Sequence, residues 1–176
     1  MKDGKNLSGK EFISRMKPIT PIVPMSLPDL TDAERQAVLA VLNTPHLSMG
    51  PFIDEFEHGL ADYIGAKEAV GVNSGTAGLH LCIRAAQLQP GEIVLTTPFS
   101  FVSSTNVILF EHGTPVFVDV DPRTGNMDPE LAAQAIDDLS RGGKWAQRWL
   151  PRKGANDVGK LKAMLVIDVF GQPADY

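Results

Sequence analysis

The chain has 176 residues, of which 43% are hydrophobic and 21% are charged, a composition typical of a globular domain with a real core. Its formal net charge of −5 gives no overall signature of nucleic-acid binding. Its apolar runs are shorter than the roughly 18 residues that indicate a membrane span, and the first residues lack the apolar centre of a secretory signal. We therefore expect a cytoplasmic protein that binds neither nucleic acid nor membranes.

The amino-terminal part should consist of an arm and two helices. Residues 1–28 contain four prolines and no sustained hydrophobic period, so we expect an extended arm. A first helix should begin after Thr31, a candidate cap with Glu34 three residues later. A second helix should follow the Gly-Pro pair at 50–51 and end at Gly65.

From residue 68 onward, short apolar strands alternate with helices. We predict strands at 68–72, 93–96, 115–119 and 163–167, and helices at 75–88, at 101–111 and after Asp128. This alternation is typical of a three-layer α/β/α fold, in which helices cover both faces of a mostly parallel sheet. We therefore treat residues 29–176 as one domain. Cys82, the single cysteine, lies in an apolar helix and is expected in the core.

Residues 139–162 interrupt this alternation. They contain seven basic residues and one acidic residue, and the two tryptophans of the chain, Trp145 and Trp149, lie there four positions apart. Such a segment could bind an anionic group or a partner chain. It could also be a surface excursion whose tryptophans pack against the body of the domain.

The residues Asn73, Ser74, Gly75 and Thr76 join the strand predicted at 68–72 to the next helix. Ser74 can cap that helix without any further role. The unpaired N–H groups of a helix start, the two hydroxyls and the small glycine would also suit a phosphate. The turn matches neither the P-loop pattern nor the dinucleotide-binding fingerprint.

A second polar and aromatic run, TTPFSFVSSTN, follows the strand predicted at 93–96. The carboxyl ends of parallel strands meet at one edge of a sheet, where ligands bind in open α/β folds. Phe99 and Phe101 lie two positions apart and would share a face in extended chain, where an aromatic ring could stack on a flat ligand or simply fill the core.

Three stretches in this order resemble the amino-terminal part of the DegT/DnrJ/EryC1/StrS family, the pyridoxal-phosphate sugar aminotransferases of fold type I. They are MGPFIDEFEHGLADYIGAKEAVGVNSGTAGLHL, PGEIVLTTPFSFVSSTNVILFEHGTPVFVDVDPRTGNMDPELAAQAI and AMLVIDVFGQPADY, and they cover most of residues 26–138 and 163–176. The basic segment departs from the family, which usually has a shorter connection there. The resemblance implies part of the large domain of a fold-type I transferase, with pyridoxal 5′-phosphate as cofactor.

The resemblance also implies roles for matching positions. Ser74, Gly75 and Thr76 would form part of the cup for the 5′-phosphate of the cofactor. Phe101 falls where relatives place an aromatic ring against the pyridine, and Asn106 is a further candidate for the cofactor site. Relatives build each site from two subunits, which implies a homodimer with the loop around Gly50 near its interface. No metal site is indicated.

The catalytic residues of the family are not found in these stretches. In relatives a lysine forms a Schiff base with the cofactor and an aspartate pairs with its pyridine nitrogen, and both lie beyond the GQPAD turn. This chain stops at Tyr176, and its nine lysines fit no such motif. We expect it to be inactive alone and to be the front of a longer enzyme, as an incomplete reading frame or a deliberately shortened piece. Asp168 lies where relatives vary, some carrying His, and is given no chemical role.

The resemblance implies amino transfer, typically from glutamate, to a keto sugar that is linked to a nucleotide. Two other interpretations stay open. The chain could be a non-catalytic binding or dimerisation module that relies on the basic segment, or another fold-type I enzyme such as a lyase of sulfur amino acids. The run FSFVSSTN followed by VFVDVDP favours the sugar aminotransferases.

Overall fold

The structure is a computed structural model that describes residues 26–152 and 159–176. Most of the arm predicted at 1–28, and six residues of the basic segment, lie outside the described residues. The chain divides into two compact units, and the boundary in sequence falls between Ala69 and Val70. Within the described part of the chain, no helix combines the length and the apolar character needed to cross a membrane.

The first unit contains two helices whose ends follow the predicted capping signals. Helix α1 (Asp32–Leu42) begins with a capping box, in which the Thr31 hydroxyl accepts from the Ala33 N–H at 3.2 Å and the Thr31 N–H donates to Glu34 at 2.6 Å. Helix α2 (Pro51–Ile64) has proline in its first turn and ends at Gly65, whose φ of 69° is in the left-handed region that glycine tolerates. The helix predictions for this unit are confirmed.

The second unit alternates helices and strands. Its elements are α3 (Gly75–Ala85), β1 (Ile93–Thr96), α4 (Ser103–Phe110), β2 (Thr114–Phe117), α5 (Pro129–Arg141), α6 (Gly143–Gln147), β3 (Leu161–Met164) and a 3-10 turn at Val169–Gly171. The strand order is β2-β1-β3, and both pairings are parallel. The predicted α/β class with a parallel sheet is therefore confirmed.

Strand β1 separates two hydrophobic clusters. All four of its residues are buried, and successive side chains point to opposite faces of the sheet. Ile93 and Leu95 pack in a cluster with residues of β2 and α5, whereas Val94 packs with residues of α3 and α4. Helices therefore cover both faces of β1, as the three-layer prediction requires.

Two predictions for the region before β1 are wrong. Residues 68–72 do not form a strand, although the run is apolar. A strand needs hydrogen bonds to a neighbour, and among the described residues the sheet consists of β2, β1 and β3, none of which pairs with residues 68–72. Val70 is accordingly 71% exposed. Cys82 is exposed and not in the core, because α3 buries only the narrow face that carries Ile83.

Strand β2 is an edge strand whose outer side is interrupted by a proline. The N–H groups of Thr114 and Val118 donate to Glu92 and Thr96, on the β1 side. Because backbone groups alternate in direction along a strand, the nitrogen of Pro115 faces away from β1, where it has no proton to donate. Pairing of another strand along this edge would therefore lack a hydrogen bond.

The basic segment is attached to the core through Asp138 of α5. This side chain is 5% exposed, and its Oδ2 accepts hydrogen bonds from the Arg148 guanidinium and, at 2.9 Å, from the Trp149 indole. The bond from Trp149 is the main cause that lowers the pKa of Asp138, Arg148 adds to it, and burial opposes it. Trp149 packs against the core, whereas Trp145 is 46% exposed. Trp149 therefore packs against the body of the domain, whereas Trp145 remains about half exposed to solvent.

We predict that Asp138→Asn lowers the thermal unfolding midpoint at neutral pH and has little effect in acid. A carboxylate with a lowered pKa in the folded state stabilises the fold above its ordinary pKa, and this contribution is lost as pH falls through the lower, folded-state value. Thermal unfolding from pH 7 downward measures the difference, which should begin to shrink near the ordinary pKa of an aspartate, about 4, and shrink further as the pH falls. Asp137→Asn, at an exposed neighbouring position, is the matched control. A midpoint difference that is independent of pH would contradict the assignment.

Candidate functional site

The first turn of α3 is an open, polar surface. Ser74 lies in extended conformation as the N-cap, and its hydroxyl accepts from the Ala77 N–H at 3.2 Å. The N–H groups of Gly75 and Thr76 lie in the first turn, where the helix itself supplies no carbonyl acceptor. They are therefore available to a ligand. A Cβ placed on Gly75 would meet no atom within 4 Å, and Ser74 and Gly75 are both exposed. This turn is therefore capped internally and still open to an anion.

A cavity of about 380 Å³ lies where β1 and the chain after β3 leave the sheet. Its walls are the segments 98–101 and 167–170. The two walls are tied together just below the cavity, because the Thr96 hydroxyl donates to the Leu165 carbonyl at 3.0 Å. The parallel pairing of β1 and β3 thus places both segments at one edge of the sheet.

Three phenylalanine side chains line this cavity, two on the wall at 98–101 and one on the wall at 167–170. Phe99 and Phe170 meet edge to face, with ring centroids 6.3 Å apart and an interplanar angle of 78°. Phe101 also lines the cavity and is 76% exposed, so most of its ring is available to a flat ligand. Phe170 is 98% exposed and has a φ of 54°, which is uncommon for a residue other than glycine.

Asp168 is the charged residue of the cavity walls. Its Oδ1 accepts hydrogen bonds from the Ala174 N–H and from the Tyr176 hydroxyl, both at 2.9 Å. The hydrogen bond to Asp168 raises the pKa of Tyr176, because ionisation of the phenol would remove the proton that this bond uses. Asp168 therefore holds the segment that follows it, and the structure gives it no further contact that indicates chemistry.

The structure places the predicted site residues in three locations. Ser74, Gly75 and Thr76 form the start of α3, and Phe101 lies in the cavity wall. Asn106 lies half-buried on α4 and is not part of the cavity lining. The walls of the cavity do not include residues 74–76, so the phosphate cup and its link to Phe101 stay predictions. Among the described residues, no cluster of three His, Cys, Asp or Glu side chains could hold a metal ion.

The sequence did not reveal the contribution of Asn126. This residue is 3% exposed and bonds to the segment that carries Asp168 and Phe170. Its run, DPRTGNMDP, is typical of an ordinary turn. Its partners lie more than forty residues away in the chain, and no local pattern indicates contacts at that separation.

A family model for the DegT/DnrJ/EryC1/StrS aminotransferase family matches residues 28–176. The chain is 44% identical, over 114 residues, to the spore coat polysaccharide biosynthesis protein SpsC of Bacillus subtilis; the match covers 65% of this chain and 29% of that protein. It is 40% identical, over 109 residues, to GDP-perosamine synthase of Caulobacter vibrioides, with 61% and 29% covered.

Among solved structures, the chain is similar to the pyridoxal-phosphate form of a sugar aminotransferase, Spr1654, from Streptococcus pneumoniae, whose function is described as putative. The TM-score is 0.60 at 35% sequence identity, and the match covers 64% of this chain and 29% of that one. The chain therefore spans less than a third of the length of each of these relatives along the matched regions.

We predict that Ser74→Ala destabilises the second unit by about 1 kcal/mol, because the Ala77 N–H loses its side-chain acceptor. Ser74→Gly should cost only a few tenths of a kcal/mol, since glycine is a favoured residue at the N-cap whereas alanine is not. Urea unfolding of the two variants beside the parent chain measures the difference. Equal stability of all three proteins would show that the hydroxyl does not cap α3.

Proposed function

Because this chain belongs to the DegT/DnrJ/EryC1/StrS aminotransferase family, we propose that it supplies the phosphate and ring contacts for pyridoxal 5′-phosphate in a sugar aminotransferase. The observation that carries the proposal is the first turn of α3, which combines exposed N–H groups, the positive end of a helix dipole and two hydroxyls. The aromatic cavity after β1 supports it, since a pyridine ring requires a flat apolar surface.

Different residues of this chain would contact different parts of the cofactor. Gly75 and Thr76 would donate backbone N–H groups to the phosphate, and the Thr76 hydroxyl would add a third donor. The Ser74 hydroxyl accepts from the Ala77 N–H and donates to Asn73 Oδ1 at 3.4 Å, and it would turn its proton from Asn73 toward a bound phosphate. Phe101 would pack against the pyridine ring and exclude water from one of its faces, and Asn106 is a further candidate contact.

Pyridoxal phosphate, when bound, carries the amino group between the donor and the acceptor halves of the reaction. The lysine that bonds the cofactor in the family has no counterpart among the nine lysines of this chain. We therefore infer that this chain alone is inactive in amino transfer and that its own residues position the cofactor.

The proposed substrates are glutamate as amino donor and a keto sugar linked to a nucleotide as acceptor. Two relatives support the acceptor class by their names, since one makes GDP-perosamine and the other acts in polysaccharide biosynthesis. We also propose a cytoplasmic homodimer in which the loop around Gly50 lies near the partner subunit.

We predict that Thr76→Ala weakens binding of pyridoxal 5′-phosphate about tenfold, because a hydrogen bond to a charged phosphate is lost. Binding of pyridoxal, which lacks the phosphate, should be unchanged. Phe101→Leu should weaken both ligands, since both contain the ring. Equilibrium dialysis of each protein with the two ligands separates these effects. An unchanged affinity of Thr76→Ala for pyridoxal 5′-phosphate would remove the phosphate role.

We predict that the natural protein containing this sequence forms 2-oxoglutarate from glutamate when it is given pyridoxal phosphate and a nucleotide-linked keto sugar. The same keto sugar without its nucleotide should react far more slowly, because the contacts to the nucleotide are lost. The 176-residue chain alone should form no 2-oxoglutarate. Absence of transfer by the natural protein, despite bound cofactor, would favour the non-catalytic module instead.

A further inference from the structure

The amide of Asn126 joins two distant parts of the second unit. Its Oδ1 accepts from the Val169 N–H at 3.1 Å, and its Nδ2 donates to the carbonyls of Gln172 and Pro173, both at 2.9 Å. Both amide protons and one acceptor position are thereby used. Because Asn126 is 3% exposed, water cannot readily replace these three bonds if the side chain is removed.

The turn that carries Asn126 is fixed by its own hydrogen bonds. The Gly125 N–H donates to the Asp121 carbonyl at 2.8 Å, and the Asp121 N–H donates to the Asn126 carbonyl at 3.0 Å. The Asn126 N–H donates to the Thr124 hydroxyl at 3.2 Å. The turn is closed at its base by an antiparallel bridge between Val120 and Met127. Asn126 is therefore presented from a rigid support.

The same turn contacts the opposite wall of the cavity. Gly125 has a φ of 75°, and a Cβ placed on it would lie 3.5 Å from the ring of Phe99. Phe99 in turn meets Phe170, which follows the Asn126 partner Val169 directly. The turn thus lies against the wall at 98–101 through Gly125 and holds the wall at 167–170 through Asn126.

The backbone conformation of Phe170 is the feature that requires such a support. Its left-handed backbone conformation is unfavourable for a residue with a side chain, and surrounding bonds must maintain it. Asn126 binds the chain on both sides of Phe170, at Val169 and at Gln172. Without these bonds, the segment could relax and move Phe170 relative to Phe99.

We infer that Asn126 is a positioning residue, which sets the width of the aromatic cavity by holding the segment 167–173 at a fixed distance from Phe99 and Phe101. Asn126 thereby determines whether the cavity accepts a pyridine ring. The assignment of that ring to the cofactor rests on the proposed function. It acts on the ring and not on the phosphate, because the start of α3 makes none of these contacts.

The test uses Asn126→Asp and Asn126→Ala in the full 176-residue chain. The aspartate keeps the size of the side chain but replaces both donors by an oxygen that faces two carbonyl groups. Asn43→Asp makes the same chemical change at an exposed position in the first unit and is the matched control. The ligands are pyridoxal and inorganic phosphate, and their dissociation constants are measured by equilibrium dialysis.

Both Asn126 variants should bind pyridoxal about tenfold more weakly while their affinity for phosphate is unchanged, and Asn43→Asp should match the parent. Unchanged pyridoxal binding in the Asn126 variants would overturn the inference. An equal loss for both ligands would also overturn it, since general unfolding and not cavity width would then be the cause.

Amide hydrogen exchange gives a second measurement that needs no ligand. The Val169 and Ala174 amides should lose protection in Asn126→Ala and keep it in Asn43→Asp. If the parent chain binds neither pyridoxal nor pyridoxal 5′-phosphate, the proposed cofactor role fails while this exchange pattern still supports the positioning role. Unchanged exchange at Val169 and Ala174 would overturn the positioning role, whatever the ligand data show.

Discussion

The parallel pairing of β1 with β2 on one side and β3 on the other is the interaction on which the second unit depends. It buries all four residues of β1. Successive side chains of β1 pack into two separate clusters, one with α5 and one with α3 and α4. Because the strands run in the same direction, the chain leaves β1 and β3 at the same edge. The aromatic cavity exists for that reason, since segments 98–101 and 167–170 are far apart in sequence and adjacent only at this edge.

Two kinds of polar contact attach peripheral segments to the sheet and helices of the second unit. Asp138 attaches the basic segment to α5 through a carboxylate that pairs with Arg148 and accepts a hydrogen bond from the Trp149 indole. Asn126 attaches the segment after β3 through a neutral amide. The first contact is sensitive to acid because it depends on a charge, whereas the second is not. The contact made by Asn126 itself therefore does not depend on the protonation of a side chain, unlike the contact made by Asp138.

Local signals in the sequence were sufficient for most elements and for part of the site. Capping residues predicted the starts of α1 and α5, and β1 was predicted without error because an isolated apolar run between turn signals has few alternatives. The run at 68–72, EAVGV, is also rich in small apolar residues but forms no strand, since pairing depends on a neighbour as well as on composition. Ser74 to Thr76 and Phe101 were identified through a family resemblance. Asn126 was missed because its partners are distant in sequence, and Asn106 stays a prediction.

The proline at the outer side of β2 makes that edge of the sheet the less favourable one for a further strand, because one hydrogen bond would be missing. A strand added beyond β2 would meet Pro115, whereas the sequence of β3 and the residues that follow it, LKAMLV, contains no proline. A further parallel strand that paired with β3 would end beside the segment 167–170. Its last residues would reach the cavity on the side that carries Asp168 and Phe170, facing Phe101 across the opening. Such a strand would extend the sheet on the Asp168 side of the cavity and leave the Phe101 side unchanged.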